Sequence, residues 1–261
     1  FDFDGVIAES VQVKTDAFAL LYAPYGKEVV KNVVEHHEAN GGMSRYEKIK
    51  LYHESFLNKT ISEKKISDLA KQFSALVIDK VIAAPYVPGV LGYIKKSYKQ
   101  YNLFISTGTP TEEMKQILNE KNIAQYFTAV FGSPDRKDMH INQIKSRYGM
   151  KSNDLIFFGD SNSDLDAAEN ANIDFILIKN RFNKKLVKSF TGKIIENFVG
   201  FEPNYYWYSI FLKSNHNSGV QMIENVGKAL SRNKEFYKKF DKAKIIKLHI
   251  KKNNPICFDI G

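Results

Sequence analysis

Phe1-Asp2-Phe3-Asp4-Gly5-Val6 is the stretch whose reading decides the fold. Apolar residues alternate with two carboxylates and a glycine follows, the pattern of a buried strand running into a turn. Successive strand residues face opposite ways, so Asp2 and Asp4 leave the strand on the same side. Two carboxylates that close repel unless a cation sits between them or one takes a proton. The pair therefore suits a Mg2+ site, with one carboxylate free for attack and the other for proton transfer.

Beyond that turn, residues 10–84 carry helical spacing almost throughout, through Val11, Phe18 and Tyr22, then Val29 and Val33, Ile49 and Tyr52, and Ile66 to Val77. A helical block of this length, set between a catalytic strand and an α/β core, predicts an inserted all-helical cap over 10–84. Pro85 and Pro88-Gly89 close it. From residue 90 the rhythm alternates, with helices expected at 90–98, 111–121, 141–148 and 165–171. Strands are expected at 103–106, 129–131, 155–158 and 175–178. This predicts an α/β fold, a Rossmann-like parallel sheet with helices on both faces, whose core is residues 1–9 and 85–203. In such sheets ligands sit at the carboxyl ends of the strands.

The residues just after those strands carry chemistry. After Leu103-Phe104-Ile105 come Ser106-Thr107-Gly108-Thr109-Pro110, where Thr109 can cap the next helix with Glu112 completing a capping box. Ser106 or Thr107 is left at the strand tip, where a hydroxyl and nearby N–H groups can hold a phosphate. Lys137 follows the next strand and would offset the charge of a carboxylate-rich centre. Gly159-Asp160 and Asp164 follow the third, two further carboxylates that would complete an oxygen-ligand site for a hard cation.

Composition sets the bounds. The chain has 261 residues, 43% of them apolar, enough for a sizeable core. A single cysteine, Cys257, excludes an intramolecular disulfide framework and fits a reducing cytoplasm. The net charge of +9 comes from dispersed lysines, which disfavours a nucleic-acid stripe and suits attraction of phosphorylated substrates. No membrane span is expected. One residue precedes Asp2 and the chain stops on an apolar run, Pro255 to Gly261, so it reads as a piece of a longer protein.

The four segments together resemble the haloacid dehalogenase superfamily of phosphohydrolases over roughly residues 1–200. Asp2-Phe-Asp4-Gly-Val is similar to its first motif, Ser106-Thr107-Gly108-Thr109-Pro110 to its second, Lys137 to its third, and Gly159-Asp160-x3-Asp164 to its fourth. The resemblance implies Asp2 as nucleophile, Asp4 as general acid/base, and Thr107, or else Ser106, with Gly108, on the phosphoryl group. It implies that Lys137 screens charge, that Asp2, Asp4 and Asp160 hold Mg2+, and that Asp164 supports them. Branches of the superfamily that lack an acid at the Asp4 position, the dehalogenases and phosphonate-cleaving enzymes, are thereby disfavoured. What remains is a Mg2+-dependent phosphatase acting on a small phosphorylated metabolite, a sugar phosphate or phosphoglycolate-like acid, through an aspartyl-phosphate. A phosphomutase stays open as an alternative.

In the cap, Gly41-Gly42-Met43-Ser44-Arg45 is similar to the cap loop of the phosphoglycolate phosphatase and β-phosphoglucomutase branch, which implies that Arg45 holds a second anionic group. Ser44 and Glu47 also have capping-box spacing. Residues 204–261 exceed what the core needs. Phe258-Asp259-Ile260-Gly261 resembles the opening of an FkbM-like methyltransferase, which implies a fused C-terminal domain, with a non-catalytic module as one alternative reading of the whole.

Overall fold

The computed structural model describes residues 1–201. The proposed methyltransferase opening and the rest of the extension from 204 lie outside them. Among the described residues, no helix is long and apolar enough to cross a membrane.

The strands are β1 (Phe104–Pro110), β2 (Ala129–Ser133), β3 (Ile156–Gly159), β4 (Asp174–Ile178) and β5 (Lys193–Ile195). β1 pairs with β2, β3 with β4 and β4 with β5, all parallel. The opening residues join the two groups. The Phe1 amino group donates to the Phe104 carbonyl at 2.8 Å, and Ser106 N–H donates to the Phe1 carbonyl at 2.8 Å. One residue thus bonds two residues of its neighbour, two apart, which is the parallel ladder. On the other side Asp2 N–H donates to Phe158 O at 2.9 Å. The order is therefore β2, β1, the opening segment, β3, β4, β5, with Asp2 central.

Side-chain alternation along β3 splits the core. Phe157 packs with Ile141, Ala167, Phe175, Leu177 and Leu186 on one face. Phe158 points the other way and stacks on Phe1, with centroids 4.7 Å apart, beside Tyr93 and Phe198. Helices α5 (Val90–Ser97), α6 (Thr111–Glu120), α7 (Lys137–Tyr148), α8 (Asn162–Asn170) and α9 (Lys184–Ser189) connect the strands.

The cap consists of α1 (Val11–Tyr22), α2 (Lys27–Ala39), α3 (Arg45–Leu51), a π-helical turn at Tyr52–Phe56, and α4 (Glu63–Ala83). Its interior is aromatic, with Phe18, Tyr22, Tyr52 and Phe73 all within 2% of full burial. Both halves of the Ser44–Glu47 capping box form.

Three readings of the sequence differ from the structure. β1 runs on to Pro110, which itself precedes α6 with no side-chain cap, so Thr109 does not cap the helix. The Thr109 hydroxyl instead accepts from Lys14 at 2.7 Å. α7 and α8 start earlier than their apolar spacing suggests, because their first turns hold polar residues that face the site. α9 and β5 were not expected at all: each is short, and only Leu186 among their residues is fully buried.

Candidate active site

Asp2, Asp4, Lys137, Asp160 and Asp164 come together where strands end. The three hydrogen bonds of the opening segment fix the depth at which Asp2 leaves the sheet. Gly5, at φ +77°, turns the chain immediately after Asp4, and a Cβ there would meet Asp160 Oδ2 at 2.1 Å. Only glycine supplies both that backbone conformation and that clearance.

Lys137, on the first residue of α7, reaches Asp2 Oδ2 at 3.0 Å and Asp164 Oδ1 at 2.5 Å, all three side chains being 5% exposed or less. Burial alone would lower its pKa, but Asp164 and Asp2 outweigh that and hold the ammonium charged. Asp164 also fastens the loop beneath it, since Oδ2 accepts from Ser161 Oγ at 2.6 Å and from the Asp160 and Ser161 amides. Asp160 is held from the β4 side: Asn180 Nδ2 donates to its Oδ2 at 2.6 Å, and Asn183 Nδ2 to its carbonyl at 2.8 Å. Burial, then the charges of Asp2 and Asp164, push Asp160 well above the ordinary carboxylate range. Burial pushes Asp2 up to about 6, against the pull of Lys137.

Such crowding is what a cation between the carboxylates would relieve. Asp2, Asp160 and Asp164 each offer an oxygen, and these lie within 4.8 Å of one another. Asp2 Oδ1 is buried and makes no hydrogen bond. A buried carboxylate oxygen left unpaired is costly unless something positive meets it. An all-oxygen donor set of this charge fits a hard divalent ion.

Asp4 stands apart from that triad. Its carboxylate accepts from Ser10 Oγ at 2.6 Å and from the Lys14 ammonium. Burial opposes ionisation of Asp4, yet Lys14 and these hydrogen bonds prevail and hold its pKa below the usual value. Thr107 is 1% exposed in the middle of β1, its hydroxyl oxygen accepting from Thr109 N–H at 3.2 Å. Ser106 is turned to the structure: His140 Nε2–H donates to Gly132 O at 3.2 Å, so Nδ1 accepts, at 3.0 Å, the Ser106 proton. Gly108 lines the cavity over Asp2.

The cap loop closes on this centre. A Cβ on Gly42 would lie 2.0 Å from Ser163 Oγ and 2.9 Å from Lys137 Nζ, and one on Gly108 would meet Gly42 O at 2.8 Å. Between loop and sheet remains a cavity of about 20 Å³, lined by Asp2, Asp4, Lys14, Phe18, His37, Arg45, Lys48 and Gly108 among others. Arg45 is 4% exposed, but its charge is taken. It donates to both Glu113 oxygens at 2.8 and 2.6 Å and to Ser74 Oγ at 2.5 Å, and sits 4.8 Å over the Phe73 ring.

Lys14, Asn180 and Asn183 have no part in the sequence reading, and His37 and Lys48, inside the cap segment 36–48, have no assigned role in it. Asn180 had a legible signal, because it follows β4 as Asp160 follows β3. The cap residues had none, since a lysine or histidine on a helix looks the same whether it faces solvent or a cavity.

Comparison with known proteins agrees with this geometry. The family model for haloacid dehalogenase-like hydrolases matches residues 1–178. Phosphoglycolate phosphatase of Salmonella choleraesuis (strain SC-B67) is 34% identical over 92 residues, 33% of this chain and 36% of that protein. Phosphoglycolate phosphatase of Salmonella typhi is 30% identical over 106 residues, 39% of this chain and 41% of that protein. The alignments thus span under half the length of these curated relatives. Among solved structures, β-phosphoglucomutase from Clostridium difficile superposes with a TM-score of 0.65 at 17% identity, covering 81% of this chain and 96% of that one. CbbY from Rhodobacter sphaeroides, in complex with xylulose-(1,5)bisphosphate, gives 0.60 at 14% identity, covering 76% and 92%. With the match extending over both halves of the sheet and the whole helical insertion, the chain belongs to the haloacid dehalogenase-like hydrolases.

Proposed function

We propose that this protein is a phosphatase that hydrolyses a small phosphorylated metabolite through an aspartyl-phosphate on Asp2. The observation that carries the reading is the unpartnered Asp2 Oδ1, buried beside Lys137 and within reach of Asp160 and Asp164. Asp2 and Asp160 would hold Mg2+, with Asp164, whose oxygens are taken by Lys137, Ser161 and two amides, supporting them, and Mg2+ when bound would supply charge stabilisation at the phosphoryl oxygens.

Asp2 attacks phosphorus, the ester P–O bond breaks, and Asp4 passes a proton to the leaving oxygen. Thr107 keeps its hydroxyl proton for a phosphoryl oxygen, and Lys137 meets the charge that develops there. Asp4 then takes a proton from water, which attacks phosphorus, releases phosphate and restores the Asp2 carboxylate. Asp4 thus enters the first half protonated and the second ionised, the proton taken from water in one turnover serving the leaving oxygen of the next, and Lys14 and Ser10 stabilise the ionised form. The relatives named phosphoglycolate phosphatase point to a small phosphorylated acid as substrate.

Release of inorganic phosphate from p-nitrophenyl phosphate and from a panel of phosphorylated metabolites, with Mg2+ and with chelator, tests the proposal. Turnover should need Mg2+ and vanish in Asp2→Asn, with circular dichroism unchanged. Phosphate release by Asp2→Asn at a wild-type rate would overturn it.

A further inference from the structure

α7 carries Lys137 on its first residue, and Arg136 at its N-cap position makes no side-chain capping bond. Further along the helix, Ile141 joins the Phe157 cluster and Ile144 that of Phe104 and Phe131. Apolar contacts hold a helix against a sheet but are non-directional, so they fix its depth only weakly. The directional hold is His140, 1% exposed and three residues after Lys137, hence its neighbour on the helix surface. Its Nε2–H donates to the Gly132 carbonyl on β2 at 3.2 Å, and its Nδ1 accepts from Ser106 Oγ on β1 at 3.0 Å. Burial, then the Lys137 charge, lower its pKa to about 4. The ring is therefore neutral, and both of its nitrogens are committed in one tautomer.

Ser106 is where three elements meet. Its N–H donates to the Phe1 carbonyl at 2.8 Å, one residue before Asp2, its Oγ reaches α7, and Thr107 follows it on β1. A short chain of bonds thus runs from the segment bearing Asp2, through Ser106 and His140, to the turn bearing Lys137. We propose that His140 is a positioning residue for phosphoryl transfer, tying the first turn of α7 to β1 and β2 so that Lys137 and Thr107 keep their places relative to Asp2. The proposal rests on the phosphatase reading.

Turnover is what makes this tie necessary. Lys137 is held by Asp2 at 3.0 Å and by Asp164 at 2.5 Å. Once an Asp2 oxygen bonds phosphorus, that carboxylate no longer offers the charge that paired the lysine, and the ammonium meets the phosphoryl oxygens instead. The bonds of His140 go to Ser106 and Gly132, groups the reaction leaves unchanged, and they persist through both halves. Misplacing a catalytic group by about 1 Å can cost about a hundredfold in rate.

The test measures turnover of p-nitrophenyl phosphate, and calorimetric binding of orthovanadate in Mg2+, for wild type, His140→Leu, His140→Gln and Ser106→Ala. All are compared at a temperature where circular dichroism shows them folded. His140→Leu should lose about ten- to a hundredfold in kcat, with KM and the Mg2+ requirement little changed. Orthovanadate, which takes up the five-coordinate geometry of the transferring group, should bind correspondingly more weakly. His140→Gln, whose amide can donate to Gly132 and accept from Ser106, should recover most of the rate. Ser106→Ala should lose part of it, and adding it to His140→Leu should cost nothing more. A merely structural role would leave kcat per folded molecule unmoved. Wild-type kcat in folded His140→Leu, or in Ser106→Ala where His140→Leu does not fold, would overturn the proposal. Wild type that releases phosphate from no ester, yet binds orthovanadate in a His140-dependent way, would overturn the phosphatase reading and uphold the positioning role.

Discussion

Arg45 of the cap and Glu113 of the core form a bidentate ion pair, with side chains 3% and 9% exposed. Two charges this buried are balanced by each other, by Ser74 and, for Arg45, by the Phe73 ring face. Removing one strands the other, which costs more than the intact pair contributes. Glu113→Ala should therefore destabilise the protein by about 3–5 kcal/mol. The double change Arg45→Met with Glu113→Leu should recover most of that loss. Urea unfolding of the three variants checks both expectations.

Lys14 depresses the Asp4 pKa, so losing it raises that pKa. Lys14→Met should move the acid limb for breakdown of the phosphorylated enzyme, the half in which Asp4 takes a proton from water, to higher pH by about one unit, as expected for removal of an adjacent opposite charge. An unmoved limb would mean that Asp4 is not the group titrating there.

Asn180 aims Asp160, and partners of this kind typically alter metal affinity ten- to a hundredfold. Asn180→Ala should raise the Mg2+ concentration for half-maximal activity by about tenfold, with the melting temperature nearly unchanged. A Mg2+ titration of activity, paired with calorimetric Mg2+ binding, measures this.

His140 is buried between Ser106 and Gly132, and burial followed by the Lys137 charge lowers its pKa to about 4. The unfolded value is about 6.5. Its neutral form stabilises the fold above pH 6.5, and that stabilisation is lost as pH falls toward 4. Wild type should lose several degrees of melting temperature over that interval, and His140→Gln should show a flatter dependence.

The core was largely legible because its signals are local. Asp2 and Asp4 declare a strand end by alternation, and β3 and β4 are short apolar runs bounded by turns. What escaped the sequence depends on tertiary placement. Thr109 has the composition of a helix cap, yet the sheet continues through it and Lys14 uses its hydroxyl. Arg45 lies in a loop suited to anion binding, but Glu113, sixty-eight residues on, meets it first. The pairing of His37 with Lys48 spans two helices whose packing no single-helix pattern encodes. Ser106 and Thr107 were interchangeable on paper, and His140 separates them by engaging one.

Gly42, lacking a side chain, lets the cap loop rest against Ser163 and Lys137 and shrinks the cavity over Asp2 to about 20 Å³. A second cavity of about 30 Å³ shares Asp2 and Asp4 with it and reaches Asp160, Ser161 and Asn180. Each has room for about one water molecule, so with the loop seated the carboxylates meet solvent a molecule or so at a time. Under the proposed hydrolysis, a phosphorylated metabolite would enter with the loop lifted, and the attacking water would come from that small store beside Asp4.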